Sequence, residues 1–130
     1  MKKLFILFTI ALFAGLNANA QKIEVLYFKA DLACCRARAC DNLEKDVKSM
    51  IESAYKSGEA IFTTVQISDE ANNALVEKHN ARSQTVVIVT TQRRKETLTD
   101  ISDIVRNYSR NRDKTNFEKE LLARISTATK

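Results

Sequence analysis

The sequence predicts an α/β domain in the order β-α-β-α-β-β-α, with a four-stranded mixed sheet flanked by helices. Three observations carry this. Short β-branched and aromatic runs alternate with stretches whose apolar residues recur at three and four, the mark of strands and amphipathic helices in turn. The last two strand-like runs are separated only by a short charged break, which suits a hairpin. The chain has 130 residues, enough for one core and too few for two ordinary domains.

Residues 1–20 read as a leader rather than as part of that core. Met1, Lys2 and Lys3 make a basic start, Leu4 to Leu16 is almost unbroken apolar sequence, and Ala18-Asn19-Ala20 is a small-x-small site. This pattern predicts a secretory signal peptide cleaved after Ala20, leaving residues 21–130 as the domain and placing it in the periplasm or outside the cell. The apolar run is shorter than the ~20 residues a bilayer span needs, so no membrane span is expected after cleavage. No cysteine stands at the cleavage site to take a lipid anchor.

Ile23 to Phe28 (IEVLYF) is mostly apolar and suits a first strand buried on both faces. Leu43, Val47, Met50, Ile51 and Ala54 line one face of the first helix, which ends before Ser57-Gly58. Ala60 to Ile67 then alternates, with Ile61, Thr63, Val65 and Ile67 on one side and Phe62, Thr64 and Gln66 on the other. Ser68 or Asp69 can cap a second helix from Glu70 to about Lys78, with Ala71, Ala74, Leu75 and Lys78 on its face. Thr85 to Thr91 is the most β-prone stretch, and a strand at about Glu96 to Ile101 can fold back on it across Gln92–Lys95. Ile104, Val105 and Tyr108 mark a further helical segment, interrupted near Asn111 to Lys114. Phe117, Leu121, Leu122 and Ile125 mark the last helix. Strands joined through a helix are most simply parallel, and the hairpin pair is antiparallel.

Composition narrows the chemistry. With no proline, two glycines and one histidine, the chain holds no collagen-like segment, no glycine-rich phosphate loop and no site built on several histidines. Its positive charge, +5 for the whole chain, falls with the leader's two lysines and is spread along the domain, so no nucleic-acid partner is indicated. Arg93, Arg94 and Lys95 read as a solvated hairpin tip that discourages edge pairing, and His79 as a surface or capping histidine.

All three cysteines fall within seven residues, Cys34-Cys35-Arg36-Ala37-Arg38-Ala39-Cys40, between the first strand and the firm part of the first helix. In an oxidising compartment disulfide chemistry comes first, and three thiols leave one over. A helix start presents free N–H groups and a positive dipole end, and Arg36 and Arg38 add two cations, so a thiolate is stabilised there. Thiol–disulfide exchange requires that property. Geometry sets a condition: in regular helix Cys35 and Cys40 would lie ~8.7 Å apart in Cα positions, and Cys34 and Cys40 ~10 Å. A disulfide spans no more than ~7 Å. A Cys35–Cys40 bridge therefore needs a loop or distorted turn over Cys35 to Arg38, while a vicinal Cys34–Cys35 bond needs a strained small ring. Three readings stay open: redox chemistry, capture of a soft metal ion or a partner protein by the thiols, and a bridge that only pins the helix. No cofactor and no zinc site are expected, since zinc wants a fourth ligand.

The strand IEVLYF, the cysteine-bearing turn, the helix start CDNLEKDV and the stretch VQISDEANNALVEKHNARSQTVVIV together resemble the thioredoxin-like superfamily. The closer likeness is to small exported bacterial proteins of the ArsF, or nitrophenyl compound nitroreductase subunit, family, and it spans about Ile23 to Ile125. That resemblance implies that Cys40, in Cys40-Asp41-Asn42-Leu43-Glu44, is the second, resolving cysteine. On a helix Cys40 also falls at the edge of the apolar face, three residues before Leu43, which makes it the less exposed thiol and leaves Cys35, or Cys34 beside it, as the accessible nucleophile. The spacing is expanded, since Ala37 stands where a CxxC motif has its first cysteine. The resemblance also places Ser83, Gln84 and Thr85 at the loop where thioredoxins carry a cis-proline, with Gln84 in the proline's position and a trans Ser83–Gln84 bond expected. The expected function is an exported thiol–disulfide redox protein acting on a protein thiol or disulfide partner. The alternative is a non-catalytic module that binds through the same loop.

Overall fold

In a computed structural model the chain is described over residues 21–31 and 35–130, with the backbone alone for residues 35–37. The predicted leader and Cys34 lie outside the described residues. The elements are β1 (Lys22–Lys29), α1 (Cys35–Ala54), β2 (Ala60–Gln66), a short 3₁₀ turn (Glu70–Asn72) running into α2 (Asn73–Lys78), β3 (Val86–Gln92), β4 (Lys95–Asp100), α3 (Ser102–Asn111) and α4 (Lys114–Ala128). This is the predicted α/β architecture, a four-stranded mixed sheet in the order β2-β1-β3-β4 flanked by helices and consistent with a thioredoxin-like fold.

β1 is parallel to β2 and antiparallel to β3, and β3 and β4 form the antiparallel hairpin. The simple rule that helix-joined strands run parallel thus holds for β1 and β2 and fails for β2 and β3. The connection explains the failure. Both of its ends are tied to the same end of β1, the Ile67 N–H donating to the Lys29 carbonyl and the Gln84 N–H to the Phe28 carbonyl, so β3 sets off from the end where β2 stopped.

The strand period sorts the side chains into two layers. Ile23, Val25 and Tyr27 of β1 face α1, α3 and α4, packing with Leu43, Val47, Ile51, Val105, Leu121 and others in the larger cluster. Leu26 and Phe28 face the opposite way, with Val65, Val87 and Val89 and, partly covering them, Leu75 and Val76 of α2. The α1 face is as read from the sequence except at Ala54, which is exposed where the helix ends. In α2 the packed residues are Leu75 and Val76, while Ala71 and Ala74 are exposed. The tighter 3₁₀ start, nearer 120° per residue than 100°, rotates the buried face by about one position.

With one glycine among the described residues, other residues take the left-handed backbone. Arg93 (φ 50°) and Arg94 (φ 66°) make the two-residue turn between Gln92 and Lys95, the conformation of a type I′ hairpin. Arg112 (φ 56°) ends α3, and Asp113 caps α4 by accepting from the Asn116 N–H at 3.0 Å. Of the two predicted caps before α2, Asp69 serves, accepting from the Ala71 N–H.

Candidate functional site around Cys40

α1 begins at Cys35 and runs unbroken through Cys40. The loop over Cys35 to Arg38 that a Cys35–Cys40 bridge requires is therefore absent from this backbone, and Cys40 is a free thiol. A hydrogen-bonded helix from Cys35 keeps the two Cα atoms ~8.7 Å apart, outside disulfide range. The side chains of Cys35 and Arg36 lie outside the described residues, and Arg38 is exposed.

Cys40 is 5% exposed, at the end of the apolar stripe that continues through Leu43 and Val47. Its sulfur is met from across the fold: Gln84 Nε2 lies 3.1 Å from Cys40 Sγ and donates to it. The turn Arg82–Thr85 is built for this approach. The Thr85 N–H donates to the Arg82 carbonyl, and the Arg82 N–H donates to Thr85 Oγ1, both at 3.0 Å. The Gln84 N–H donates to the Phe28 carbonyl and the Phe28 N–H to the Thr85 carbonyl, at 2.9 Å each, clamping the turn to the end of β1. Gln84 sits at φ 65°, the position where a turn of this kind wants glycine or asparagine. There is no cis peptide bond among the described residues, so Ser83–Gln84 is trans. Of the three loop residues singled out in the sequence, Gln84 reaches the thiol, Ser83 is exposed, and Thr85 closes the turn.

A polar network flanks the thiol on the β2 side. Lys29 Nζ at the end of β1 bridges Asp41 and Glu44, and Thr64 Oγ1 of β2 donates to Glu44 Oε1 at 2.6 Å. Donating to Asp41 and Glu44 pushes the Lys29 ammonium above the ordinary lysine range, and the same Lys29 contact holds the Asp41 carboxyl below its usual value. Asp31 accepts from Gln66 Nε2 and from Ser68 Oγ at 2.7 Å, tying the segment after β1 to the exit of β2. Beneath this network lies Tyr27, fully buried on the inner face of β1, its ring 5.9 Å from that of Phe62. Burial, reinforced by Cys40, Glu44 and Asp41, pushes the Tyr27 phenol well above the ordinary tyrosine range.

Tyr27, Lys29, Asp31 and Glu44 do not stand out as site residues in the sequence. Tyr27 looks like one more apolar residue in IEVLYF, and nothing in spacing pairs it with a cysteine thirteen positions on. The one available signal is Lys29, a charge at the end of a buried strand. His79 caps α2 and packs against Phe28 with ring centroids 5.6 Å apart, on the opposite layer from Cys40. Among the described residues no cluster of three or more histidine, cysteine or acidic side chains is placed to hold a metal ion.

The chain matches no family model and no curated protein. A solved structure described as "Structure of a malarial protein" is similar at 17% identity, covering 82% of this chain and 97% of that one, with a TM-score of 0.47.

Proposed function

We propose that the chain is an exported thiol–disulfide redox protein working through the cysteine cluster at the start of α1. The observation that supports this best is the 3.1 Å contact between Gln84 Nε2 and Cys40 Sγ, which joins the turn before β3 to the cysteine helix across 44 positions of sequence. A buried thiol with a hydrogen-bond donor aimed at it is equipped to carry charge during exchange.

In this reading the Cys35 thiolate attacks a partner disulfide, forming a mixed disulfide and releasing one partner thiolate. The Cys40 thiolate then attacks the Cys35 sulfur and expels the second partner thiolate, so that two electrons pass to the partner and a Cys35–Cys40 disulfide remains. Cys34 is the alternative attacking thiol, and Arg36, Arg38 and the helix start favour the thiolate form. The helical backbone from Cys35 belongs to the dithiol state. Closing the disulfide requires the first turn of α1 to unwind, since the ideal helical separation exceeds ~7 Å. Thiol alkylation read by mass spectrometry across a redox titration tests this. The expected result is a Cys35–Cys40 couple in the range of exchange proteins, and a potential below about −300 mV would mark a structural bridge and reject redox function.

A further inference from the structure

We propose that the Tyr27 hydroxyl is a positioning group for Cys40, donating a hydrogen bond to the sulfur when Cys40 is a thiolate. The inference deepens the redox reading and rests on it only for its functional meaning. Three contacts made by the neighbours of Tyr27 bring the first turns of α1 to the end of β1 that carries it. Its partner on β2 in the strand register is Thr64, which bonds Glu44. Its neighbour two residues along β1 is Lys29, which bonds Asp41 and Glu44. On the β3 side the register partner is Val86, two residues after Gln84, which bonds Cys40. Cys40, Asp41 and Glu44 thus bracket the inner face of β1 at Tyr27.

Within that bracket Tyr27 is 0% exposed, yet its hydroxyl has no hydrogen-bond partner among the described residues. A buried hydroxyl left unpaired is unfavourable, and proteins seldom keep one without an occasion to use it. Glu44 and Asp41 are already engaged with Lys29, and Glu44 with Thr64 as well. Among the described residues the thiol sulfur carries only the Gln84 contact. An ionised sulfur is a far better acceptor than a neutral one, so the unpaired phenol gains a partner when Cys40 loses its proton. Burial and the acidic neighbours keep the phenol itself protonated and therefore a donor. The charged groups around the pair are Lys29, Asp41 and Glu44, while Arg38, two residues before Cys40, and Arg82, two before Gln84, are exposed.

The test uses the domain with Cys34→Ser and Cys35→Ser, which leaves Cys40 as the sole thiol. Thiolate formation is followed against pH by absorbance near 240 nm. Tyr27→Phe keeps the ring packing and removes only the hydroxyl. It is expected to move the midpoint up by about one unit, which is about tenfold less thiolate at a given pH below it, without lowering the melting temperature. An unchanged midpoint in folded protein overturns the proposal. Should Tyr27→Phe not fold, the Cζ carbon resonance of Tyr27 in the unsubstituted ring gives the answer: it tracks the Cys40 titration if the bond forms and stays flat if it does not. Neither readout involves electron transfer. A moved midpoint beside a failed redox titration would reject the redox function and keep the Tyr27 contact, and the reverse result would do the opposite.

Discussion

Gln84 does two things that pull against each other. Its side chain reaches Cys40 Sγ, and its backbone occupies the left-handed region at φ 65° while its N–H bonds the Phe28 carbonyl. The resemblance to thioredoxins implies a loop in which they carry proline where this chain has Gln84, which makes Gln84→Pro an informative exchange. The structure predicts that it is costly. A proline ring holds φ near −65° and carries no N–H, so Gln84→Pro in this trans backbone should cost about 2–4 kcal/mol from strain and the lost hydrogen bond together. Denaturant unfolding would read it directly, and a variant as stable as the parent would show that the turn can rebuild. Gln84 stands out in the sequence through the likeness of its loop to the thioredoxin one. Its conformation is not legible there, because a positive φ at glutamine leaves no compositional mark.

The strongest element-scale effects come from how helices and turns begin. α1 is legible through Leu43, Val47, Met50 and Ile51, all buried in the larger cluster, but its first turns are not, since Cys35 to Ala39 carry no apolar period. The structure extends the helix to Cys35, which turns a question of cysteine pairing into one of helix opening. The β3–β4 hairpin shows a related limit. The charged break from Gln92 to Lys95 marks its tip, yet without asparagine or glycine nothing signals a two-residue type I′ turn. Arg93 and Arg94 hold positive φ at a steric cost of ~1–2 kcal/mol per residue, and their exposed side chains offset little of it. The double substitution Arg93→Asn with Arg94→Gly supplies the residues such a turn prefers and should therefore stabilise the domain by about 1 kcal/mol. A rise in the urea midpoint at unchanged slope would confirm it, and no rise would mean that the arginines make compensating contacts.

At the scale of the whole molecule the sheet is covered unequally. α1, α3 and α4 seal one face, helped by the stacked rings of Tyr108 and Phe117 at 4.6 Å and by the Tyr108 hydroxyl donating to Asp46 of α1 at 2.8 Å. Among the described residues the other face has only α2, so Ile61 and Leu98 stay 46% and 44% exposed although both sit in strands. Apolar residues of similar size should then differ sharply in their worth. Leu121→Ala, which opens the fully buried face, is expected to cost about 2–5 kcal/mol. Leu98→Thr on the open face is expected to change stability by no more than about 0.5 kcal/mol. Comparable losses at the two positions in denaturant unfolding would show that the open face is covered in solution.

Element types and order, the strand faces of β2, the break between α3 and α4 and the clustering of three thiols at a helix start all follow from local pattern. Periodicity and capping act over a few residues, and such a chain records them openly. What lies beyond that range is set by how the sheet is assembled. That β3 runs against β1, that a glutamine from position 84 meets the sulfur at 40, and that Tyr27 is buried in the cluster that holds Leu43 and Val47 of α1 depend on register and packing between segments far apart in sequence. Each of these is a long-range contact whose partners carry no local signature, so only the folded arrangement could bring them together.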